Sequence, residues 1–307
     1  MDTSFIAWTV FIVLIAIMLI IDLGVLNRKA HEVRLKEAII WSCVWIGLAL
    51  IFNAGIYFYL GQKLALQFLS GYLIEKSLSV DNIFVFIIIF EYFKVNPKYQ
   101  HKVLFWGIMG ALIMRGIFIA LGVALINQFD WIIFVFGAFL IFTGIKLALQ
   151  KEETKVTPGK NPVLKLIQKI IPILKEYDGD KLFTRKRGRL FGTPLLLVLI
   201  VIETTDLIFA VDSIPAILAI SKDPFIVYSS NIFAILGLRA LYFALAGIMK
   251  YFRFLNIGLA VILIFVGIKM MISDWYHIPI EYSLGFIVLT LSATIAFSLI
   301  LKEPQKD

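Results

Sequence analysis

Apolar residues do not alternate along this chain. They run. Nine apolar runs can be drawn, at roughly 5–26, 38–60, 64–90, 103–126, 130–149, 194–220, 225–249, 252–272 and 280–301. A helix needs about 20 predominantly apolar residues to cross the hydrocarbon core of a bilayer. Strands of a membrane barrel would instead alternate in short segments. The pattern predicts an all-α polytopic transmembrane bundle of about nine spans. The longest polar interval, 150–192, opens "KEETKVTPGKNP" and continues "VLKLIQKIIPILKEY", apolar with interspersed lysines. That second part reads as an interfacial amphipathic helix on the inner leaflet, or as a short helix packed under the bundle. Pro172 argues against one long straight helix.

Two runs break the apolar rule. "LIEKSLSVDNIFVF" places Glu75, Lys76, Asp81 and Asn82 in one span, and "VIETTDLIFAVDSIPA" places Glu203, Asp206 and Asp212 in another. The two stretches match in order. "SVDNI" (79–83) resembles "AVDSI" (210–214), and each is followed by a span with a single arginine, Arg115 or Arg239. Each of those is followed by a span ending "FTGIK" (142–146) or "FVGIK" (265–269). Residues 64–149 and 194–272 thus read as two copies of a three-helix unit within one transmembrane domain, joined by the loop 150–192. With an odd number of spans per unit, the copies enter the membrane from opposite sides. Such an inverted-topology repeat is the architecture of many secondary transporters, with the site near the midplane.

A charged side chain at the bilayer centre costs at least about 2.5–3.5 kcal/mol on insertion scales. Glu75, Asp81, Glu203, Asp206 and Asp212 must therefore face one another, a cavity or a bound ion, as must Lys76, Arg115 and Arg239. Pairing each base with one acid leaves two carboxylates, the charge of one divalent cation. Protonation of the surplus acids and a purely structural ion-pair network are the alternatives. Glu203 and Asp206 share a helix face. Glu75 and Asp81 are six apart, as are Asp206 and Asp212, which suits one face only if the helix is broken or distorted. Freed carbonyls would then join the carboxylates as ligands, with Asn82 and Ser213 adding neutral oxygens. No histidine lies in a span and the one cysteine, Cys43, lies in another. An all-oxygen site suits Mg, Ca or Mn rather than zinc or copper. No nucleotide-binding loop, hydrolase metal motif or catalytic triad is present, so no enzyme and no permanently bound cofactor is expected.

Composition sharpens the class. The 307 residues are 61% hydrophobic and 16% charged, with mean hydropathy +0.93, against about 45–50% and about 25% in soluble domains. The net charge of +8 reflects sidedness rather than nucleic-acid binding. With the N-terminus outside, the inner loops and tail hold 22 Lys and Arg, and the outer loops hold only Lys63 and Lys222. The positive-inside rule then puts the N-terminus out, and the C-terminus and the 150–192 loop in the cytoplasm.

At these stretches the sequence resembles the TerC family, most closely its Alx-like branch. "GYLIEKSLSVDNIFVF", "FGAFLIFTGIKLAL", "ETTDLIFAVDSIPAILAISKDPFIVYSSNIFAILGLRALYFALAG" and "GIKMMISDWYHIPI" carry the likeness, which runs from the first span to the last. The resemblance implies a bacterial inner-membrane protein linked to tellurite resistance, to manganese export and to supplying metal to exported enzymes. It places the family's membrane acids on Glu75, Asp81, Glu203, Asp206 and Asp212. The expectation is a proton-coupled Mn²⁺ exporter. Glu75, Asp81, Glu203 and Asp206 hold the ion, Asp212 pairs with an arginine or carries a proton, and Arg115 and Arg239 are counter-charges. The rival is a non-transporting scaffold that recruits partners through the 150–192 loop.

Overall fold

The computed structural model describes residues 3–24, 35–129, 131–149, 171–174, 176–186, 189–245, 254–273, 275–276 and 278–300; the side chains of Asp81 and Asp212 lie outside the description. Among the described residues ten helices dominate: α1 (Thr3–Gly24), α2 (Leu35–Leu60), α3 (Gln62–Tyr92), α4 (Pro97–Gln128), α5 (Ile132–Leu149), α6 (Pro194–Leu218), α7 (Pro224–Leu236), α8 (Leu238–Leu245), α9 (Leu255–Met271) and α10 (Ile280–Ile300). One antiparallel hairpin, β1 (Phe183–Lys186) and β2 (Arg189–Gly192), precedes α6.

Each expected span falls on one helix, except 225–249. That span is split into α7 and α8 with a bend of 40° at Gly237. By length and apolarity alone, five described helices can cross a membrane, and a sixth if α7 and α8 count as one. The apolar stretches of α1 and α9 are shorter, and α3 carries Glu75, Lys76 and Asp81 across its middle. The outward faces are lipid-like: Ile51, Phe58, Phe142 and Ile208 are all exposed. The protein is an all-α polytopic membrane protein.

α3 is the central helix, packed against α2, α6, α7 and α10. Most of the helix pairings survive an exchange of α3 with α6, α4 with α7, and α5 with α9; α4–α5 and α6–α9 do not, because α7–α9 and α3–α5 do not pack comparably. That exchange turns α3–α7 into α6–α4 and α5–α6 into α9–α3, and it leaves α3–α6, α4–α7 and α5–α9 as they are. All seven contacts occur. The most extensive is α5 on α9, where small residues let backbones touch. A Cβ on Gly144 would stand 2.8 Å from the Ala260 carbonyl oxygen, and one on Gly137 would stand 3.0 Å from that of Gly267. Both pairs, Gly137 with Gly144 and Ala260 with Gly267, are spaced by seven residues.

One expectation, a broken or distorted helix in the polar spans, is corrected. The polar spans are not broken: α3 and α6 are continuous helices. Their hydroxyls fold back onto their own helix without opening it. Ser70 and Ser77 donate to the carbonyls of Leu66 and Leu73, and Thr204 and Thr205 to those of Ile200 and Val201. Pro215 sits in the last turn of α6, where it interrupts little. Of the expected loop helix, residues 163–170 lie outside the described residues, and 171–174 are not helical. Ile173 bridges Gly192, and the Leu174 N–H donates to the Gly192 carbonyl at 2.9 Å. Pro172 cannot donate from its nitrogen, but its carbonyl accepts from the Gly192 N–H at 3.0 Å. This segment is tied to the α3–α4 turn: Tyr177 Oη donates to the Phe93 carbonyl at 2.6 Å, and Lys102 pairs with Asp180 at 2.8 Å. The Lys102 hydrogen bond, reinforced by its charge, holds the Asp180 carboxyl below its ordinary value against a smaller opposing effect of burial.

Candidate functional site

Seven residues are two turns of an α-helix, so residues seven apart share a face. On α3 this joins Glu75 to Asn82, and on α6 it joins Asp206 to Ser213. Under the register that aligns "SVDNI" with "AVDSI", Glu75 is equivalent to Asp206 and Asn82 to Ser213. The two faces meet across the bundle, and α4 inserts Arg115 between them.

Arg115 is 1% exposed. Its Nη1 donates to Glu75 Oε1 and, at 3.4 Å, to Ser213 Oγ. Its Nε and Nη2 donate to Asp206 Oδ2 and Oδ1 at 3.2 and 3.1 Å. This two-pronged grip is the strong form of an arginine–carboxylate pair. Asn82 Nδ2 adds a bond to Asp206 Oδ1 at 3.3 Å. Two acids from different thirds of the chain thus share one arginine, and the described cluster carries a formal charge of −1.

Two acceptor oxygens of this cluster, Glu75 Oε2 and Asn82 Oδ1, are buried without a hydrogen-bond donor. Their residues line a cavity of about 430 Å³ together with Arg115, Ser213 and, on α5, Thr143 and Lys146. Buried carboxylate oxygens normally find donors. Here the unmet acceptors belong to residues that border open volume, an arrangement that suits a cation or its hydration water.

The other expected residues are placed less centrally. Glu203 lies over Gly110 of α4, in space that a side chain there would need, and its Oε2 is also buried without a partner. Arg239 is buried and lines a narrow cleft with Asp206 and Phe86. Asp81 and Asp212 fall in the continuous helices, with side chains outside the description. Among the described residues, no three His, Cys, Asp or Glu are grouped closely enough to hold a metal ion. A larger cavity of about 750 Å³ opens at the other ends of α6 and α9, bordered by Lys63, Lys222, Lys269 and Glu281. It contains none of the expected site residues.

The comparisons with known proteins agree with this architecture. The family described as "Integral membrane protein TerC family" matches residues 60–306. The chain is 50% identical over 293 residues to "Uncharacterized membrane protein STKORF319" of Myxococcus xanthus, covering 95% of this chain and 92% of the relative. It is 51% identical over 289 residues to "Putative membrane-bound redox modulator Alx" of Escherichia coli (strain K12), covering 91% and 90%. It is 49% identical over 300 residues to the protein of the same name from Salmonella typhi, covering 95% and 93%. No solved structure matches the chain. A match across four fifths of the sequence, on a bundle built around the acidic stretches that carry the likeness, assigns the chain to the TerC family of integral membrane proteins.

Proposed function

We propose that this protein exports a divalent cation, Mn²⁺ by ligand preference, through the cavity that borders Glu75 and Asn82. The observation that carries the reading is the pair of donorless buried oxygens in residues lining that cavity. Hard oxygen donors favour Mn²⁺ over zinc or copper. A site with few protein ligands suits an ion that travels with part of its hydration shell. Glu75 is the principal ligand and Asn82 a neutral one. Arg115 holds Glu75 and Asp206 aimed through its hydrogen bonds when no ion is present. Glu203, Asp81 and Asp212 are further acids of the same two helices, and a proton exchanged for the ion at an acid would couple transport.

The exchange symmetry of the helix pairings supports two inverted units, 64–149 and 194–272, in one transmembrane domain. Charge bias supports the N-terminus outside, with the loop 150–192 and the C-terminus at the cytoplasmic side of a bacterial inner membrane. In that orientation the cavity is lined by Lys146, near the inner end of α5, and by Glu75 at mid-helix, and its wall also includes the exposed Phe142 and Ile208.

The deciding experiment is uptake of divalent cations into reconstituted vesicles. Mn²⁺ transport that exceeds Zn²⁺ transport and is lost in Glu75→Gln is the expected result. The name of the Alx relatives suggests a redox role for those proteins. Here Cys43 is the only cysteine and lies exposed on α2, so Cys43→Ser separates thiol chemistry from ion transport. Deleting 150–170 separates transport from a scaffold role.

A further inference from the structure

The acidic stretch contains one charge that the ion site leaves unexplained. Lys76 follows Glu75 but sits about 100° around the helix, one residue from the midpoint of α3. Its Nζ donates to the carbonyl of Ala234 at 3.2 Å. No carboxylate among the described residues forms an ion pair with it. A lysine at this depth is costly and is kept only where something offsets the cost.

What offsets it is a helix end. Ala234 lies in the last turn of α7, just before the bend at Gly237. The C-terminus of a helix carries about −0.5 of a charge on its unsatisfied carbonyls. Gly237 makes the room: a Cβ there would stand 2.7 Å from Lys76 Nζ and 3.1 Å from the Cβ of Trp45. In transporters with broken helices, such carbonyl ends take up monovalent cations.

The lysine and the break also occur together against the repeat. The unbroken α4 is the counterpart of α7 and α8. The residue equivalent to Lys76 on α6 is Leu207, under the same register that pairs Glu75 with Asp206. The half with an intact helix carries a leucine at this register position, and the half with a broken helix carries a lysine.

We propose that the α7–α8 break is a monovalent-cation site occupied by the chain's own Lys76 ammonium. The tethered cation stands where a transporter of this architecture would otherwise bind Na⁺, and it frees the bundle from dependence on a dissolved one. Removing the side chain leaves the Ala234 carbonyl at the end of α7 open to Na⁺ or a small alkylammonium from solution. This inference does not depend on the transported ion, and its readout is stability rather than Mn²⁺ transport.

The test uses the full chain, purified in detergent, as wild type, Lys76→Ala, Lys76→Met and Gly237→Ala. Unfolding temperature is followed while Na⁺ or methylammonium replaces choline at constant ionic strength. Wild type should show no dependence. Lys76→Ala should unfold at lower temperature in choline and regain stability, saturably, in Na⁺ or methylammonium. Lys76→Met and Gly237→Ala should lose stability without rescue, because a thioether and a Cβ fill the same space. If Lys76→Ala does not survive purification, its yield from cells grown with methylammonium gives the same comparison. Equal behaviour of Lys76→Ala in all three salts would overturn the proposal. So would a Lys76→Met protein as stable as wild type, since an apolar filler would then suffice.

Discussion

Arg115 decides how the acids behave. Removing one partner of a buried ion cluster costs about 3–5 kcal/mol, because the remaining charges are left without compensation. Arg115→Ala strands Glu75 and Asp206 together, and should lower folded protein in the membrane as well as activity. Glu75→Gln should act differently: it keeps shape, and Arg115 keeps its two-pronged hold on Asp206. The expected outcome is near-normal abundance with transport abolished, checked by quantitative immunoblotting beside vesicle transport. A Glu75→Gln protein that transports normally would remove Glu75 as a ligand. The double variant Glu75→Gln/Asp206→Asn should transport no worse than Glu75→Gln alone, as residues acting as a unit are non-additive. Much of this site was legible in sequence, because a charge inside an apolar run must have a partner. The partner was not legible. Counting acids and bases could not say that Arg115 takes two acids, since that depends on which faces of α3 and α6 meet. The seven-residue spacing of Glu75 with Asn82 and of Asp206 with Ser213 was the available signal.

At the scale of elements, the apolar runs predicted every long helix, and errors arose where backbone chemistry was decisive. A break was expected in α3 and α6 because their polar residues fit one face poorly. The hydroxyls of Ser77 and Thr204 instead bond within their own helices, and the break lies at Gly237, in a span whose apolarity concealed it. The hairpin before α6 carries too few apolar residues to register as an element. Its attachment predicts a modest pH effect. Asp180, held below its ordinary value by Lys102, contributes stability above the unfolded pKa and loses it as pH falls through the folded one. An exposed pair of this kind is worth about 0.2–1 kcal/mol. Lys102→Met should therefore flatten the acid limb of the unfolding curve only slightly. The α5–α9 seam makes a stronger prediction. With Ala260 backbone 2.8 Å from the position of a Cβ, Gly144→Leu must force the helices apart. Overpacking of this kind costs about 1–3 kcal/mol or more. Thermal unfolding should fall accordingly, whereas Gly47→Leu, with nothing within 4 Å on α2, should be nearly silent.

For the whole molecule, the question is which way the bundle faces. Charge is the indicator of orientation, and exposed Trp and Tyr, which gather at both membrane interfaces, mark where the spans end. Exposed Tyr57 and Tyr59 end α2, Trp131 precedes α5, Trp275 and Tyr276 follow α9, and Tyr282 begins α10. Alternation of the spans puts all of these at one side, together with Lys63 and Lys222. The opposite side holds the α3–α4 turn, the hairpin and nearly all the loop lysines and arginines. On the positive-inside rule we propose that the first side is the outer one, which puts Lys146, in the lining of the Glu75 cavity, toward the inner side. The single cysteine makes this directly testable. Cys43→Ser gives a cysteine-free background, into which Lys222→Cys and Lys160→Cys are placed singly. An impermeant maleimide added to intact cells should label position 222 and leave position 160 untouched until the membrane is opened. The reverse pattern would put Lys146 toward the outer side and turn the proposed export into uptake. Labelling of both positions in intact cells would break the alternation of spans, and with it the inversion of the two units.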